Sequence, residues 1–113
     1  MSAKRIMFVL RNGKTAGPST DERIEVAMMA QAFDQEVHLA YLDDGVFTLA
    51  AGPDDLAALL AKIEESDISH IWVEQQSLAE RGLADLVLPD LFAVLDRHQI
   101  IELMGQMHMV IPG

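Results

Sequence analysis

The sequence predicts an α/β fold, a three-layer α/β/α sandwich around a five-stranded, mainly parallel sheet. Three observations lead there. Short apolar runs alternate with segments of helical periodicity in the order β-α-β-α-β-α-β-α-β, the pattern of strands joined by crossover helices. The first run, Lys4–Leu10 (KRIMFVL), is almost unbroken in its hydrophobicity, as a strand buried on both faces must be. Finally, 113 residues with no repeat, low-complexity tract or Pro/Ser-rich linker fit one domain, 1–113, around one core.

After the first strand, Arg11–Pro18 holds two glycines and a proline and reads as a loop. Ser19 stands three residues before Glu22, a capping-box spacing that opens a helix over Thr20–Asp34. Its Ile24, Ala27, Met28, Ala30 and Phe33 make an apolar stripe wider than one sheet face requires, and Met29 lies outside it. Val37–Leu42 is the second strand. The turn Asp43-Asp44-Gly45 follows, with Gly45 expected at positive φ, and then a short apolar stretch, Val46–Ala51. Pro53 suits a first helical position, and Asp54 and Asp55 suit the positive end of a helix whose Leu56, Leu59, Leu60 and Ile63 share a face. His70–Val73 is the third strand, followed by the loop Glu74–Ser77 and a short helix closed by Gly82. Beyond Pro89, Leu91–Leu95 is the fourth strand. Asp96 and Gln99 form a second capping box, and Met107–Ile111 is the last strand.

Composition removes several classes of function. No run of 18 apolar residues exists, and the charged start MSAKRIMFVLRNGK does not read as a signal peptide, so the expectation is a cytoplasmic protein without membrane contact. With no cysteine, disulfides, cysteine-bound zinc, iron–sulfur clusters and thiol catalysis are outside the reach of this chain alone. The net charge is −10, and four of the eight basic residues (Lys4, Arg5, Arg11, Lys14) fall in the first fourteen positions. The remainder would repel a polyanion, so direct nucleic-acid binding is not expected.

In a parallel sheet, ligands and reactive groups gather at the carboxyl ends of strands. The segments to inspect are therefore 11–19, 43–52, 74–77 and 95–97. Gly13-Lys14-Thr15 lies between a strand and a helix, but position 8 is Phe where a phosphate loop needs glycine. Asp43-Asp44 suits either a hard cation or a tight turn, and Gly45 favours the turn. The four histidines (His38, His70, His98, His108) lie on four different elements, and none pairs with another at helical spacing. In Met107-His108-Met109, strand alternation would send the histidine away from both sulfurs, so no metal site is expected. Ser77 lacks a nucleophile elbow and reads as the cap of a helix over 78–82 rather than as a nucleophile with His70 as base. No catalytic set emerges.

Two motifs carry more than patterning. Ala32–Leu49 (AFDQEVHLAYLDDGVFTL) ends its strand in an Asp44-Gly45-Val46-Phe47 turn after Asp43, and Ile71–Leu83 (IWVEQQSLAERGL) closes with Arg81-Gly82-Leu83. Both resemble the DsrE/DsrF-like family of small sulfur-relay proteins, which includes the TusB, TusC and TusD subunits, and the TusC/DsrF branch is the nearest. The resemblance covers almost the whole chain and implies a DsrE-like fold. Relay members carry a persulfide on a cysteine just after the third strand. By the resemblance that position falls on Glu74, with Gln75 and Gln76 beside it and Ser77 where some members have a second cysteine. A carboxylate cannot replace a thiolate nucleophile in persulfide transfer. The resemblance thus implies a non-catalytic, cofactor-free subunit that works through assembly with DsrE/TusD-like and DsrH/TusB-like proteins or with itself. The alternative is a homo-oligomeric binder of an anion or nucleotide, with Arg11, Lys14 and the start of the first helix as its pocket. An enzyme using Glu74 as general base ranks third and needs a raised carboxylate pKa.

Overall fold

The computed structural model describes residues 4–11 and 19–112 and, within the first helix, side chains from Ile24 onward. The expected Ser19–Glu22 capping box and the loop with Lys14 lie outside the described side chains. The elements run β1 (Arg5–Leu10), α1 (Ser19–Ala32), β2 (Glu36–Tyr41), a 3-10 helix (Asp43–Ala50), α2 (Pro53–Glu65), β3 (His70–Glu74), α3 (Gln75–Glu80), β4 (Phe92–Leu95), α4 (Arg97–Gly105) and β5 (Met109–Ile111). All pairings are parallel, in the order β4-β3-β2-β1-β5. No described helix is long and apolar enough to cross a membrane.

The alternation of side chains along the central strands divides the core in two. Phe8, Leu10, Val37, Leu39, Tyr41, Ile71 and Val73 face a cluster closed by Ile24 and Ala27 of α1, Val46 and Leu49 of the 3-10 helix, Ile63 of α2 and Leu78 of α3. Met7, Val9 and Ala40 face the other way, against Ile100, Leu103 and Met104 of α4. Right-handed crossovers explain the split. From β1 to β4 the chain steps one way across the sheet and keeps its helices on one face. The return from β4 to β5 reverses direction and carries α4 to the opposite face.

Several local expectations are corrected. The segment after β2, expected as a turn and a short apolar stretch, is a 3-10 helix over Asp43–Ala50. The positive φ falls on Asp43 (50°), a residue type that tolerates it, and not on Gly45. Gly45 is required for a different reason: a Cβ there would sit 1.8 Å from the Leu10 carbonyl oxygen. Residues 75–77 are the first turn of α3, not a loop, and the N-cap of that helix is Glu74 rather than Ser77. Met107 lies before β5, which is only three residues long. Of the broad stripe on α1, Ile24 and Ala27 are buried, while Phe33 is 73% exposed and joins exposed Val26 and Met29 on the outer face. By contrast, the Asp96 capping box forms as expected, with Gln99 N–H donating to Asp96 Oδ1 and Asp96 N–H to Gln99 Oε1.

Candidate functional site

The chain leaves β3 toward one face of the sheet and β4 toward the other. Glu74 and Leu95, the last residues of these strands, are register partners. Divergence of the two connections opens a crevice beyond the strand ends, the usual position of a binding site in such sheets. Here the crevice is a cleft of about 390 Å³ lined by Arg11, Asp43, Glu74, Glu80 and Arg97 on its polar side, with Leu42, Ile100, Ile101 and Met104 opposite.

Glu74 is the centre of this arrangement. It is 4% exposed, and both carboxylate oxygens are engaged. Arg97 donates from Nη2 to Oε1 at 2.9 Å and from Nε to Oε2 at 3.2 Å, a two-pronged grip from the first residue of α4. The Ser77 hydroxyl, fully buried, donates to Oε1 at 2.6 Å and accepts from the Asp43 backbone N–H at 2.8 Å. The bond from Asp43 ties the strained corner after β2 to the start of α3. Gln76 Oε1 accepts from the Arg97 N–H at 2.9 Å, satisfying one of the free donors that begin α4.

Burial alone would push the Glu74 carboxyl up. Hydrogen bonds from Arg97 and Ser77, with the charges of Arg97 and Arg11, outweigh burial and hold it below the ordinary 4.5. A general base needs the opposite shift, so the geometry argues against the third functional reading. Glu80 lies 3.5 Å from Arg97 Nη2, and Arg11 Nε lies 3.6 Å from Asp43 Oδ2, so both cations of the cleft have acidic neighbours.

The structure thus brings together Arg11, Asp43, Glu74, Gln76 and Ser77 from segments the sequence singled out. Arg81, 20% exposed, joins the two motifs by donating from Nε to Asp44 Oδ1 at 3.0 Å. Phe47 points outward and is 44% exposed, whereas Val46 is core. Gln75 is exposed. The residue missed by sequence reasoning is Arg97. Its only signal was its place directly after the Asp96 cap at a strand end, which flagged a position and not a charge pair.

A second polar cluster sits at the opposite, amino end of the strands. Glu36, His38 and His70 each bring a ligand-type atom within 4.8 Å of the others. The spacing suits a metal, but the orientation does not. The two imidazoles stack with centroids 4.3 Å apart and planes 13° from parallel, so their in-plane lone pairs do not converge on one point. In addition, the Trp72 indole N–H, which can only donate, lies 3.0 Å from His38 Nδ1. That fixes Nε2 as the protonated nitrogen, and it donates to Glu36 Oε2 at 2.7 Å. His38 has no lone pair left for an ion. Local spacing missed this meeting because His38 and His70 are register partners on neighbouring strands.

Fold and cleft define a small α/β protein wound on both sides of a parallel sheet, with a cleft where the sheet's connections diverge. The chain belongs to the DsrE/DsrF-like family, whose model matches residues 4–112. It is 32% identical to a TusC homolog of Pseudomonas aeruginosa, covering 96% of this chain and 98% of that protein. It is 27% identical to the intracellular sulfur oxidation protein DsrF of Allochromatium vinosum, covering 91% of each. The crystal structure of the ychN protein from E. coli has the same fold, with a TM-score of 0.81 over 97% of this chain and 99% of that one at 13% identity.

Proposed function

We propose that this chain is a TusC/DsrF-type, non-catalytic subunit of a cytoplasmic sulfur-relay complex, acting through assembly and not through a sulfur carrier of its own. The observation that carries the reading is the state of Glu74. At the position that the family resemblance assigns to the persulfide cysteine stands a buried carboxylate with both oxygens tied to Arg97 and Ser77. Such a group cannot carry a persulfide, and its lowered pKa makes it a poor general base at neutral pH. The outer face of α1, where Val26, Met29 and Phe33 are exposed, is an apolar surface of the kind that partner chains cover. DsrE/TusD-like and DsrH/TusB-like proteins are the expected partners.

Co-expression with such proteins, affinity capture and native mass spectrometry test this. A hetero-oligomer that dissociates on Met29→Glu and Phe33→Glu substitution supports the reading, and recovery of this chain by itself contradicts it. A homo-oligomeric binder of anions or nucleotides is the alternative, and the pairing of Arg11 with Asp43 and of Arg97 with Glu74 weighs against it. Titration with sulfate, sulfite and nucleotides separates the two.

A further inference from the structure

The cluster at the amino end of the sheet has no part in the assembly reading, yet it contains a buried titratable side chain with every hydrogen bond specified. His38 is 4% exposed, accepts from Trp72 through Nδ1 and donates to Glu36 through Nε2. Trp72 in turn packs with Leu103 and Met104 of α4 against Met7, Val9, Ala40 and Ile100, the layer that seats α4 on the sheet. We propose that His38 is an acid-sensitive latch on α4: a second proton on its imidazole expels the Trp72 hydrogen bond and loosens the helix that supplies Arg97 to the Glu74 cleft.

The argument is steric and electrostatic. A proton on Nδ1 would face the indole N–H across 3.0 Å, donor against donor, and one of the two rings must turn. The groups around His38 set how reluctantly this happens. Glu36 on the same strand favours the cation. His70 on β3, stacked at 4.3 Å, and Arg5 on β1 oppose it, and α4 presents the apolar Ile100, Leu103 and Met104. Arg5 is itself linked through its backbone N–H to His108 Nδ1 ahead of β5. Burial is the largest influence, and the net effect holds His38 below the ordinary 6.5, hence neutral at physiological pH.

Trp72 is the only tryptophan in the chain and reports directly on the latch. Its emission should follow one sigmoidal change as pH falls, with a midpoint below the ordinary 6.5. His38→Gln should abolish that change, and Glu36→Gln should move the midpoint lower. Amide exchange should show α4 losing protection below that midpoint in the native protein but not in His38→Gln. Emission that stays flat while circular dichroism shows a folded chain, or an unaltered titration in His38→Gln, overturns the proposal. Should that variant not fold, nitrogen-15 NMR of the native protein decides. An Nε2–H tautomer near pH 7.5 supports the latch, and an Nδ1–H tautomer overturns it.

Discussion

Arg81 Nε lies 3.0 Å from Asp44 Oδ1, so the turn that ends β2 and the helix end that follows β3 are one structural unit despite being 37 residues apart. Arg81 also donates from Nη1 to the Ser77 carbonyl at 3.3 Å, holding the last turn of α3. Because Asp44 is 64% exposed, the ion pair by itself is weak. A double-mutant cycle in urea should give an Asp44–Arg81 coupling of about 0.2–1 kcal/mol, with Arg81→Ala costing more than Asp44→Ala because it also frees the Ser77 carbonyl. Equal single-mutant costs would contradict the second role of Arg81.

Ser77 is the hinge of the polar network, and its loss should be felt. Ser77→Ala removes the partner of the Asp43 N–H and one donor to a buried carboxylate, for a cost of about 1–3 kcal/mol in urea unfolding. Ser77→Thr keeps the hydroxyl but adds a methyl at a fully buried position, so it should restore only part of that loss.

The sign of the pH dependence follows from Glu74. Its carboxyl titrates below the unfolded value of 4.5, so the stabilisation is complete above that value and is lost as pH falls through it toward the folded pKa. Urea midpoints measured from about pH 6 down to about 3 should therefore decline. Glu74→Gln should remove part of the slope. Arg97→Ala, which leaves burial less opposed, should make the slope shallower while lowering stability at neutral pH. A steeper slope in Arg97→Ala would mean that the pair is not what holds the carboxyl down.

Glu74→Cys places the chain's only thiol beside the Arg97 guanidinium. A thiolate there gains a cationic neighbour and the Ser77 hydroxyl, so its pKa should fall below the ordinary value of about 8.5. Because position 74 is 4% exposed, the thiol pKa is read from the pH dependence of iodoacetamide alkylation and not from its absolute rate, and adding Arg97→Ala should raise it. The same pH midpoint in both backgrounds would show that Arg97 does not reach position 74 once the carboxylate is gone.

Gly45 gives the sharpest steric test. Gly45→Ala drives a methyl to 1.8 Å from the Leu10 carbonyl oxygen, and backbone must move to admit it, at a cost of at least about 2 kcal/mol. Gly52 and Gly82 have open space but positive φ, 139° and 71°, so alanine costs are set by conformation alone, about 1–2 kcal/mol at Gly82.

Much of the layout was legible because it is written in local signals. The buried run of β1, Pro53 at the start of α2 and the Asp96–Gln99 box needed only neighbouring residues to be read, and each stands where expected. The segments at strand ends were also identifiable, since parallel sheets direct them to one edge. What could not be read depended on register and strand order. The stack of His38 on His70 exists because their strands pair at those residues. Arg97 meets Glu74 because α4 begins where the connections part. Ser77 resembled a cap in sequence, since serine at a helix start has that local role, but Glu74 opens the helix and Ser77 turns inward to reach two distant groups. Gly45 was expected for a positive φ that Asp43 adopts instead; what requires glycine there is a carbonyl 35 positions earlier, which no local signal shows.

The sheet narrows toward its margins. Its inner strands span five or six residues, while β4 has four and β5 three. Pro112, which has no N–H to offer, ends the ladder beyond β5. Abbreviated margins of this kind give an incoming strand little to zip against, so the protein is guarded from fibril-like lateral growth. Strand-to-strand addition is thereby disfavoured relative to contacts through helix faces and side-chain surfaces.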